Sequence, residues 1–148
     1  MTQNIKETSI MKSIFTQEGI EFSNEEGWKT LTEHVEVHNQ FLNQELRRDI
    51  SWDDALFSWY ENIYTPLRRA ISSWSVKRTN PQMTVGDLYL AVSNHWFYLK
   101  EEDQGIFAEQ AAADYVRINK KNRPGIFSRL FNTFAPANET NTGKKKAA

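Results

Sequence analysis

His34 and His38 stand four residues apart, so on a helix both rings share one face, with Glu33 and Glu36 close by. That spacing can hold a transition metal, and His95 offers a third ligand if the segment carrying it faces the first. The order H-E-x-x-H is absent, and cysteine cannot contribute, because the chain has none. A partly buried histidine hydrogen-bonded to a neighbouring helix accounts for the same pattern. His34, His38 and His95 thus stand as metal candidates, and no cofactor is expected. Catalytic constellations are scarcer still. There is no glycine-rich phosphate loop, no G-x-S-x-G elbow and no kinase signature. Asp53 and Asp54, like Glu101, Glu102 and Asp103, are consecutive; on a helix such acids diverge and cannot flank one substrate. The expectation is a non-enzyme without a small-molecule substrate.

Residues suited to binding are more prominent. Trp52, Phe57, Trp59, Tyr60 and Tyr64 form an aromatic run, in which Trp52, Trp59 and Ile63 follow the helical core spacing. Tyr60 and Tyr64 lie off that stripe, one turn apart and followed by Arg68 and Arg69, which makes them the better candidates for exposed contacts. A second segment, NRPGIFSRLFNTF (122–134), places Ile126, Phe127, Leu130, Phe131 and Phe134 on one helical face. Arg123 and Arg129 flank that face, together with Lys120 and Lys121. Pro124 suits a first helical turn, and Ala135-Pro136 ends the element. About ten residues are marginal as an isolated helix, so this face must be buried. Its own bundle, the groove of a partner or an anionic membrane surface would each serve.

The elements that must carry these residues are helices. Ser23-x-x-Glu26, Ser51-x-x-Asp54 and Thr84-x-x-Asp87 read as capping boxes or their aspartate variants. Trp28, Leu31, Val35, His38, Leu42 and Leu46 follow the first at helical spacing. Ala55, Leu56, Trp59, Ile63, Leu67, Ala70, Ile71 and Trp74 follow the second, and Leu88, Val92, Trp96 and Leu99 the third. Period-2 strands and hairpin turn signals are missing. Pro66, with Thr65 as cap, kinks the second helix or starts a new one, and Pro81 breaks the linker 75–83. The fold class is all-α, a small bundle of two helical hairpins.

Those hairpins also align with each other. A shift of 57 pairs Leu31 with Leu88, Val35 with Val92, His38 with His95, Leu42 with Leu99 and Phe41 with Tyr98. One deleted residue later, Ala55 pairs with Ala111 and Trp59 with Tyr115. The reading is a helical domain over 23–120, with repeat units 23–74 and 84–120. An N-terminal extension spans 1–22, the basic aromatic segment 121–136 and a flexible Lys-rich tail 137–148. The stretches H-x-x-F-L (from His38), A-x-x-x-W-Y-x-x-x-Y-x-P (from Ala55) and D-L-Y-L-x-V-x-x-H (from Asp87) resemble an uncharacterised bacterial all-helical domain of unknown function. That domain is sometimes attached to ParB-like or kinase-like modules. The resemblance covers roughly residues 30–102 and implies the helical fold but no activity.

Composition narrows the function classes. With 148 residues, 39% of them hydrophobic, one domain can bury a core without cross-links. The absence of cysteine fits a reducing compartment, and neither a membrane span nor a signal-peptide core is visible. Cytoplasmic location, with membrane-peripheral attachment as a variant, is the expectation. The net charge of −1 hides a division. Residues 1–116 hold 10 basic against 18 acidic side chains, whereas 117–148 hold eight basic ones against Glu139 alone. An acidic body repels polyanions, so nucleic acid could bind only through the tail. The expected role is a non-catalytic interaction or scaffold protein that docks on an acidic protein partner through its C-terminal segment.

Overall fold

The computed structural model describes residues 2–121, and within them the regular structure is α-helical apart from one π-helical turn. The fold is the all-α bundle that the helical spacing predicts. Helix α1 (Thr2–Gln17) leads into α2 (Glu26–Leu46), which turns back as α3 (Trp52–Trp59). The π turn (Tyr60–Tyr64) joins α3 to α4 (Thr65–Ile71), and the short α5 (Trp74–Thr79) follows. Helices α6 (Val85–Glu102) and α7 (Ala108–Lys121) form the second hairpin. Helix α1 lies on α2, α4 against α6 and α7, and α5 against α7.

One core serves all of these elements. Leu31 and Val35 of α2 and Leu88 and Val92 of α6 belong to it, together with Trp59, Leu67, Ile71, Ala111 and Val116 among others. Each large apolar side chain removed from water stabilises the fold by about 1.5–3 kcal/mol before ordering costs. Neither hairpin could bury these stripes alone. Ser51 and Thr84 cap as their sequences predict, accepting from the amides of Asp54 and Asp87 at 3.1 Å each. The first box differs. Asn24 Oδ1 takes the Glu26 amide at 2.9 Å, and the Ser23 amide donates instead to the Asp87 carboxylate at 3.3 Å. Ser23 is thus drawn into a contact with α6 and is no cap for α2.

Three further expectations change. The segment expected as an extension over 1–22 joins the domain through its described residues, of which Met11, Phe15 and Ile20 are buried in the core. Helix α1 stops in a Schellman motif, with Gly19 at φ 85°. The amide of Gly19 donates to Thr16 O at 3.1 Å and that of Ile20 to Phe15 O at 3.0 Å. The motif folds Ile20 back beside Phe15 and aims the chain at α2. The 75–83 linker, second, contains most of α5, which buries Val76 and Thr79.

The third change is the π turn. Pro66 has no amide to give Asn62 O, and its ring would crowd that carbonyl in a regular helix. Opening the turn, so that the Thr65 amide donates to Tyr60 O five residues back, relieves this clash. The extra residue rotates the stripe. Tyr64 moves into the core at 1% exposure, and Ile63, expected there, packs only partly buried at its edge.

The chain between α1 and α2 also locks the two hairpins together. The Phe22 ring lies against Gly27 at the start of α2 and Gly86 at the start of α6, where no β-carbon would fit. The Gly86 amide donates to Glu21 O at 2.8 Å. Both long helices therefore start at one ring, pack on each other and run in roughly the same direction. Lys100, late in α6, still lies close enough to act on the charge of His38 in the second half of α2.

Candidate functional site

The tyrosines singled out by the sequence meet one residue that it did not suggest. Glu18 ends α1, and its carboxylate accepts from the Tyr60 hydroxyl at 2.9 Å and from the Tyr64 hydroxyl at 3.4 Å. The two rings stack with centroids 5.2 Å apart. Arg68 closes the group, donating to Glu18 O at 3.5 Å. With Arg69 and Ser72 these residues line an open cleft of about 290 Å³. The hydrogen bond to Glu18, with burial behind it, pushes the Tyr60 phenol up; burial foremost, and then the Glu18 charge, does the same to Tyr64. Both phenols stay protonated at neutral pH, so they act as hydrogen-bond donors and are neither bases nor nucleophiles. Tyr60 keeps part of its ring in the cleft wall, whereas Tyr64 is a core residue.

The histidines diverge. His38 Nε2 pairs with Ser58 Oγ of α3 at 2.9 Å, and His95 Nε2 with Asp114 Oδ2 of α7 at 2.8 Å. Burial lowers the pKa of His34, and burial together with the Lys100 charge lowers that of His38. Arg117 and then His95 hold the Asp114 carboxyl below its ordinary value. Among the described residues no three histidines or carboxylates converge on a point where an ion could sit. His38 and His95 instead tie the first helix of their hairpins to the second.

Several large apolar side chains apart from these candidates are exposed. Of ten large hydrophobic residues exposed among the described ones, six lie near the turns of the two hairpins. Phe41, Leu46 and Phe57 border the first turn, and Phe97, Tyr98 and Phe107 the second, at 51–69% exposure. The signal was present: Trp96, Phe97 and Tyr98 are consecutive, and three successive positions of a helix cannot all face one core. Because α2 and α6 start together at Phe22 and run alongside each other, both turns lie at the same end of the bundle.

The other binding candidates, Arg123, Ile126, Phe127, Arg129, Leu130, Phe131 and Phe134, lie outside the described residues. No helix among the described residues is long and apolar enough to cross a membrane. Comparison of the chain with protein-family models, with curated proteins and with solved structures gives no match.

Proposed function

We propose that the protein is a non-catalytic, cytoplasmic interaction or scaffold module that docks on an acidic protein surface through its basic aromatic segment 121–136. The division of charge carries the reading. Eight of the 18 basic side chains fall in the last 32 residues beside a single acid, next to apolar positions spaced for one helical face. Electrostatic complementarity would speed encounter, and the buried rings would hold the complex. Within the body, Glu18 is hydrogen-bonded to Tyr60 and Tyr64, and His38 and His95 are tied across their hairpins, which supports a scaffold role for these groups.

We further read the two hairpins as copies of one unit. In the alignment that pairs His38 with His95 and Ala55 with Ala111, Ser58 falls opposite Asp114, so both histidines bond the same position of the following helix.

The test is affinity capture with the full chain and with its Phe127→Ser/Phe131→Ser variant. An acidic partner held by the first and lost by the second is the expected result. A partner held equally by both moves the docking surface onto the bundle. Binding of the full chain to vesicles of anionic lipid, lost in the same variant, would make it a membrane-peripheral protein instead.

A further inference from the structure

We infer that the acidic partner surface is present on the protein itself: the aromatic end of one copy receives the basic segment of a second copy, head to tail. The inference rests on the docking role just proposed for that segment and names its partner.

The aromatic end is acidic as well as apolar. Residues 41–57 carry four carboxylates against two arginines, and residues 97–109 four against one lysine. None of those eight carboxylates enters an ion pair among the described residues. Rings such as Phe97 and Phe107, at 65% and 69% exposure, thus stand among unneutralised charge. That combination is the complement of segment 120–134, whose apolar face is bordered by two lysines and two arginines. Unpaired carboxylates near a docked cationic helix would gain partners without the cost of breaking existing ones.

Geometry favours a second copy over the same chain. Helix α7 starts beside the second turn and carries the chain away for 14 residues, about 20 Å. The described chain consequently ends toward the opposite end of the bundle. A contact of this kind is heterologous, so repetition gives an open series instead of a closed dimer.

The test uses full-length protein in two variants. The face variant carries Phe97→Ser/Phe107→Ser, and the segment variant Phe127→Ser/Phe131→Ser. Light scattering of the wild-type chain should show mass rising with concentration and falling at high salt. Each variant alone should be monomeric, with its dissociation constant raised on the order of tenfold or more. Mixed together, they should form a one-to-one dimer, because one supplies an intact face and the other an intact segment. Circular dichroism confirms that both remain folded. A wild-type chain that stays monomeric at every concentration, or a mixture that fails to pair, overturns the inference. If the wild type is monomeric yet captures another acidic protein through Phe127 and Phe131, self-docking fails while the acidic-partner reading stands. If the segment variant loses no interaction at all, both fail.

Discussion

Gly86 shows how one missing β-carbon can hold two hairpins in register. An added β-carbon would stand 2.4 Å from Glu21 O and 2.7 Å from the Phe22 ring, and the first of these is backbone that cannot swing aside. Gly86→Ala gains helix propensity of less than about 1 kcal/mol. The overpacking cost of about 1–3 kcal/mol exceeds it. Urea denaturation should therefore show a net loss of stability, and an unchanged midpoint would mean that the Phe22 segment yields freely. The histidines make a second residue-level prediction. His34 and His38 have lowered pKa values in the fold, so the unfolded chain binds protons first as pH falls. Their contribution is present above about pH 6.5, the ordinary histidine value, and is lost as pH drops below it. Between pH 7.5 and 5 the wild type should lose thermal stability, and a His34→Gln/His38→Gln variant should lose less. Parallel curves would refute the assignment.

At the scale of the element, the π turn decides which side chain of a continuous helical stretch enters the core. Regular spacing from Trp59 leads to Ile63; the widened turn delivers Tyr64, packed against Phe15 at 4.7 Å and Tyr89 at 5.3 Å between ring centroids. Tyr64→Ala should cost about 3–5 kcal/mol, the range for deleting a buried aromatic side chain. Ile63→Ala should cost clearly less, because that side chain is only partly buried. Equal losses in denaturant titrations would indicate that the turn is an ordinary helical one in solution. The two capped helices, α3 and α6, were legible down to their first residues, since a cap is a local bond between a hydroxyl and an amide three positions on. The start of α2 was not: its N-cap position is Glu25, Asn24 Oδ1 accepts from the Glu26 amide, and the Ser23 amide donates to Asp87, 64 residues away.

For the whole molecule the central fact is a single core that α1 shares with both hairpins through Met11 and Phe15. Phe15 touches Trp59, Tyr60 and Tyr64, so the first helix is bound to the π turn as well as to α2. Phe15→Ala should then lower the stability of every element together by about 3–5 kcal/mol. Unfolding followed by far-ultraviolet circular dichroism and by tryptophan fluorescence should shift in one coincident transition. A separate early step in either signal would show α1 to be an independent appendage. The charge division belongs to this scale too. An acidic bundle and a basic terminal segment give the chain two unlike ends, and its near-neutral total conceals them.

The order of residues settled the helical class, the stripes through Leu31 and Val35 and through Leu88 and Val92, and the caps at Ser51 and Thr84. These depend on periodicity and on hydrogen bonds that close within about four residues. Tertiary structure alone decided that Glu18 would hold Tyr60 and Tyr64, partners 42 and 46 residues distant. It decided likewise that Tyr64 would displace Ile63, that α1 would join the core, and that the exposed rings of two separate turns would share one end. Each of these outcomes is a competition among surfaces far apart in the chain. Their relative placement is set by close packing at Phe22, Gly27 and Gly86, and no local pattern records it.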